Sequence, residues 1–287
     1  MEQQKIRKSI LVFALVSSLI IILLLTTLFQ SKKPAPSVAS KKPKEEEAQT
    51  NLSQPKQQQG HFLVQTPNNP AAIQSKSEEY YGVIPQLTGL PSGETLELNQ
   101  ITIKIFENKE EYVKETGKPS WSEGFADYKN KEIFLINNDG LANSILPHEI
   151  SHLFFDSYMN YESNDFNWLD EGLATLVQVK YDPDQADSFN QAISSIRSGT
   201  YIPLKELPNF TLDKQSAASQ VNLYYAEVLS ITSYLTSEWQ RWGMLLEKLK
   251  SKESFTQSLK EAYEEDLASL EQKWLSYLEK NKQSWEK

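Results

Sequence analysis

Cysteine is absent from the 287 residues, and histidine nearly so, with three. No disulfide, thiolate metal site or cysteine nucleophile can be built from such a chain. Positive charge is also scarce: 29 Lys and Arg stand against 38 Asp and Glu, a net charge of -9. Affinity for a phosphate backbone draws on a surplus of cations, so nucleic acid is excluded as a partner class. No internal repeat occurs, and the length allows one or two domains.

One long apolar run is present. Residues 9–29 read SILVFALVSSLIIILLLTTLF, 21 residues without a charge. That suffices to cross a hydrocarbon core of about 30 Å. Lys5, Arg7 and Lys8 precede it and keep the N-terminus cytoplasmic. The run exceeds a signal-peptide core and no small-x-small site follows closely, so residues 1–30 read as a cytoplasmic stub and transmembrane signal anchor. The rest of the chain is then expected outside the cytoplasmic membrane of a single-pass protein at a bacterial-type cell surface. Residues 31–77 read as a flexible Pro/Lys/Gln-rich linker. Charge changes at its end: residues 31–60 hold 6 Lys and 3 Glu, whereas 61–287 hold 20 basic and 34 acidic residues. One acidic domain is therefore expected over 78–287.

Within it, residues 101–106 alternate and are β-branched, predicting a strand. A short helix is expected over 109–115, then strands over 124–128 and 131–136 joined at Lys129-Asn130. Leu146, Ile150, Leu153 and Phe154 form one apolar stripe, predicting a helix that starts near Asn143 or Ser144 so that Pro147 falls in its first turn. Further helices are expected over 168–181, 186–196, 221–249 with a break near 241–243, and 267–280. Trp239, Trp242, Trp274 and Trp285 read as core. The fold class is α+β: a small mixed-sheet lobe carrying the first of these helices, then a mainly helical lobe, with a cleft between.

Two of the three histidines fall in His148-Glu149-Ile150-Ser151-His152. Positions i and i+4 share one helix face, so both imidazoles can reach one ion at about 2.0–2.1 Å. Glu149, turned by roughly 100°, reaches the open side of that ion and can carry a proton from water to a leaving amine. A catalytic zinc takes three protein ligands. His61 lies in the linker and cysteine is lacking, which leaves a carboxylate. Trp168-Leu169-Asp170-Glu171-Gly172 offers the best one, Glu171, on a helix. The same ligand chemistry also suits other first-row ions.

HExxH followed by eighteen residues and a Glu-Gly pair resembles the gluzincin metallopeptidases, with the spacing of the aminopeptidase-N-like group. The phrase WLDEGLA is similar to peptidase MA-like domains. The resemblance implies one Zn²⁺ per chain held by His148, His152 and Glu171. It implies that Glu149 activates a zinc-bound water, and that Gly124, Phe125 and Ala126 form an edge strand pairing with substrate backbone. It implies a catalytic tyrosine on a later helix, Tyr225. Elimination reaches the same residue: an oxyanion needs a donor besides zinc, no histidine is free, and Tyr224-Tyr225 follows the glutamate helix. Both tyrosines read equally well as core. Asp170 reads either as a hydrogen-bond partner of a zinc imidazole or as an acidic residue near a helix start. Where the aminopeptidase pattern carries Gly-x-Met-Glu-Asn, this chain has Gly124-Phe-Ala-Asp127, which points to endopeptidase action. The expected function is hydrolysis of peptides or proteins outside the membrane. The alternative is a non-enzymatic module that binds a peptide or partner on the same fold. Residues 61–74 are a candidate segment for covering the cleft until cut.

Overall fold

The computed structural model describes residues 60–66, 70–160 and 166–281. The apolar run 9–29, the linker up to residue 59 and Trp285 lie outside the described residues. Among the described residues no helix is long and apolar enough to cross a membrane.

The sheet begins with β-branched alternation. In β2 (Ile101–Phe106) and β4 (Glu132–Ile136), Ile101, Ile103, Ile133 and Leu135 turn to one face and are fully buried. β2 and β4 run parallel, and β3 (Gly124–Asp127) closes the cleft edge antiparallel to β4. β1 (Phe62–Gln65) adds a parallel strand at the far edge, giving the order β1-β2-β4-β3. The expected mixed sheet is thus present with four strands. Between β2 and β3 lies α2 (Lys109–Thr116), capped by Asn108, whose side chain accepts the Glu111 N–H, and ended by Gly117 at φ 67°.

The linker is shorter than the composition indicates. β1 and α1 (Pro70–Thr88) belong to the fold, so residues 61–77 are structured wherever they are described. Their apolar residues are few and set among Gln, Asn and Pro, which hides a four-residue strand and a helix that begins at a proline. Phe62, Tyr80 and Ile84 are nevertheless fully buried. His61 stacks on Tyr81 at 3.8 Å, and its Nδ1 lies 2.7 Å from Glu78. The strand of this segment joins the edge opposite β3, and none of its described residues lines the cleft, so those residues do not cover the site.

The remainder is helical. A π-turn at Leu141–Ile145 leads into α3 (Leu146–Met159), with Pro147 in its first turn. The Tyr80 hydroxyl donates to the Ala142 carbonyl at 2.8 Å, so α1 fixes that turn. α4 (Asn167–Tyr181) follows, then α5 (Pro183–Ser188) and α6 (Asn190–Arg197). The long segment expected over 221–249 is two helices, α7 (Ala218–Thr236) and α8 (Trp239–Lys250), broken at Ser237-Glu238 and not at 241–243. α9 (Phe255–Tyr263) has no counterpart in the sequence reading, and α10 (Leu267–Lys280) matches it. Trp242 and Trp274 are buried as expected, but Trp239 is 49% exposed. α4 packs so closely on α7 that a Cβ at Gly172 would stand 2.5 Å from the Val228 carbonyl oxygen. Only glycine permits this approach.

Two carboxylates hold the connection between α6 and α7. Glu227 Oε2 accepts the Ile202 N–H at 2.9 Å, and Glu271 Oε2 accepts the Leu204 N–H at 2.7 Å. Burial, with Glu271 nearby, pushes the Glu227 carboxyl up from 4.5 to about 8. Between those values the folded chain holds a proton that the unfolded chain has released. Stability therefore falls as pH rises through this window, by at most about 1.4 kcal/mol per pH unit, and is level above it. Glu227→Gln should flatten that slope, which thermal melts of both proteins across the window would check.

Candidate active site

α3 and α4 bring the site together. His148 and His152, one turn apart on α3, place their Nε2 atoms 3.1 Å from each other. Glu171 on α4 sets Oε2 3.5 Å from His148 Nε2 and 3.7 Å from His152 Nε2. Three ligands arranged tetrahedrally at about 2.05 Å from an ion would stand ~3.3 Å apart, close to these separations.

Outer partners fix the rings. Asp170 Oδ2 lies 2.8 Å from His152 Nδ1, so Asp170 takes the imidazole-partner role of its two readings. His148 Nδ1 lies 3.1 Å from Gln178 Oε1, and Gln178 in turn donates to Ser144 Oγ at 2.8 Å. With each Nδ1 proton directed outward, both Nε2 atoms present lone pairs inward. The Glu171 Oε2 they face is buried and has no hydrogen-bond partner. Three acceptors converging without a donor fit a cation, and these are the one His/Cys/Asp/Glu group among the described residues able to hold a metal. Burial alone would depress the His152 pKa, but Asp170 and Glu171 hold it well above its usual value, so the site draws positive charge. Burial would raise Glu171, yet the neighbouring imidazoles of His152 and His148 and the Tyr225 hydroxyl hold it below the usual range.

Glu149 is 94% buried, its carboxylate lying on Gly124 of β3: a Cβ at residue 124 would come within 2.3 Å of Oε1. Burial raises its pKa, partly offset by His148 and His152. Tyr225 on α7 bonds Glu171, and burial together with Glu171 keeps its hydroxyl protonated well past the normal range. Tyr224 instead stacks on Phe210 at 5.4 Å.

β3 divides its roles by residue. The Ile136 N–H donates to the Glu123 carbonyl at 3.1 Å, which makes Phe125↔Phe134 a bonded pair in the ladder. Backbone groups of Gly124 and Ala126 then face the open edge, whereas Phe125 contributes its ring. The Gly124 carbonyl is already engaged by the Tyr112 hydroxyl at 2.6 Å. Asp127 is engaged too, accepting the Asn130 N–H at 3.1 Å and its Nδ2 at 2.9 Å.

Two cavities, of about 760 and 480 Å³, share Trp121, Ser122, Gly124, His148, Glu149 and Tyr225. They are two arms of one cleft meeting over Glu149. Trp121 Nε1 donates to the Asp213 carbonyl at 2.8 Å where they meet, since Leu212 lines the larger arm and Lys214 the smaller. Sequence reasoning missed Gln178, Ser144, Trp121 and Lys118. The i+30 spacing of Gln178 from His148 carries no local signal, although its position two turns past Glu171 on one helix does.

A family model for the Peptidase MA superfamily matches residues 91–280, more than half of the chain. No curated protein and no solved structure matches. Asp170→Ala and Gln178→Ala should each weaken metal binding by ~10–100-fold, and Glu171→Ala by more. Chelator competition followed by elemental analysis would measure this.

Proposed function

The chain belongs to the peptidase MA superfamily, and from that premise we propose that it is a zinc-dependent endopeptidase of the gluzincin type. The observation that carries this is the convergence of His148, His152 and Glu171 beside a buried Glu149 that opens into a two-armed cleft. When bound, zinc supplies a Lewis acid that polarises the scissile carbonyl and makes nearby water acidic.

The protein's own groups do the rest. Glu149, with its pKa raised by burial, accepts the proton of the attacking water and returns it to the leaving amine. Gly124, lacking a side chain, leaves room for that carboxylate. The Tyr225 hydroxyl remains a donor at working pH and stabilises the developing oxyanion, exchanging its bond to Glu171 for one to substrate. The outward N–H of Gly124 and the outward groups of Ala126 align the substrate strand, the Gly124 carbonyl being held by Tyr112 and Ser122.

Internal cleavage is supported by two features. Asp127 is tied to Asn130 and so leaves no carboxylate on β3 to grip a free amine. The cleft continues on both sides of Glu149. Placement outside the cytoplasmic membrane, anchored by residues 9–29, is part of the proposal and is supported by Lys5, Arg7 and Lys8 before that run.

Glu149→Gln should keep the metal and lower kcat at least ~100-fold on any peptide found in a library screen. Full turnover in that variant would end the mechanism. Tyr225→Phe should lower kcat by ~10²–10³ with metal retained, and unchanged turnover would remove Tyr225 from it.

A further inference from the structure

The chain is acidic as a whole, yet one ammonium group in the larger arm of the cleft stands outside every ion pair among the described residues. Lys118 follows the Gly117 turn and reaches over β3, its Nζ 3.6 Å from the centre of the Phe125 ring. It lines the cavity that holds His148, Glu149 and Glu171. Other charges line the same arm: Asp170 serves His152, Asp127 serves Asn130, Glu171 faces the two histidines, Lys129 lies over Tyr128, and Glu149 and Asp156 complete the set. Lys118 has the aromatic face alone and no carboxylate partner among the described residues. It is half-buried, and the loss of water depresses its pKa while Glu149, Glu171 and Asp127 oppose the shift. A half-desolvated cation on a ring is a receptor for an anion.

The register of β3 says which part of a substrate would supply it. A strand laid along the outward groups of Gly124 and Ala126 sends alternate side chains to opposite sheet faces. Phe125 and Phe134 stack on the outer of those faces, and Lys118 covers that same face. The anion is then a side chain of the bound peptide, displaced from the scissile bond.

We propose that Lys118 is a specificity-determining residue that receives an acidic side chain, Asp or Glu, at one subsite of the cleft. This rests on the peptidase reading above. It runs against the net charge of -9, which by itself would favour basic peptides.

The test uses fluorescent decapeptides of alanine and glycine with a single Glu, Gln or Lys scanned through each position. Cleavage is measured with the zinc-loaded protein, Lys118→Gln and Lys118→Glu. Binding is measured in parallel on Glu149→Gln with and without Lys118→Gln. The parent should prefer Glu over Gln at one position by about tenfold, carried in KM and not in kcat. Lys118→Gln should bring that ratio to about one, and Lys118→Glu should favour Lys at the same position. A ratio of one at every position in the parent would overturn the proposal. So would a loss in Lys118→Gln that is equal for both peptides, since Lys118 would then serve the chemistry or the fold. If the parent cleaves none of the peptides, the peptidase reading fails on its own, and the Glu-to-Gln ratio of dissociation constants still decides the role of Lys118.

Discussion

Two imidazole nitrogens and a carboxylate oxygen, each presenting a lone pair, are held within 3.7 Å of one another. Much of the chain serves to hold them there. The repulsion is borne by outer bonds: Asp170 on one ring, and Gln178, itself fixed by Ser144, on the other. Ser144 sits in the π-turn whose start is pinned by Tyr80 of α1. A residue of the first helix of the fold thus reaches the ligand set through three intermediaries. Gly172 completes the arrangement by letting α4 and α7 approach until Tyr225 bonds Glu171.

The sheet contributes in a different currency, that of backbone and space. The ladder with β4 turns the polar groups of Gly124 and Ala126 to the open edge, and the missing side chain at Gly124 makes room for Glu149. Charge is then distributed unevenly along the cleft: carboxylates cluster about the histidines, and the half-buried Lys118 stands at the rim over Phe125.

The centre of the site was legible in sequence because its geometry is local. His148, Glu149 and His152 sit within one and a half helical turns, and Glu171 carries a glycine beside it whose purpose is visible in the packing. The strands of β2 to β4 were legible from alternation. β1 and α1 were not, because Phe62, Ile73 and Tyr80 are sparse among polar residues and gain their meaning only from partners far along the chain. α9 was legible in principle and was missed: Phe255, Leu259, Ala262 and Tyr263 repeat the spacing of the α3 stripe behind the capping Ser254, in a helix of only nine residues. Gln178 and Lys118 illustrate a third case. Nothing in a sequence separates a lysine over a ring from one in solvent, and Gln178 is set apart only by its place two turns past Glu171 on one helix.

The bond from Trp121 to the Asp213 carbonyl joins two stretches of chain 92 residues apart. Trp121 precedes β3, and Asp213 lies between Leu212, which lines the larger arm, and Lys214, which lines the smaller. A solvent-accessible bond of this kind has a net worth of about 1 kcal/mol. The strand that would receive a substrate and the segment leading into the tyrosine helix are therefore tied at this point by one weak tether, and the segment owes its place mainly to Leu212 and Phe210 packing on the core.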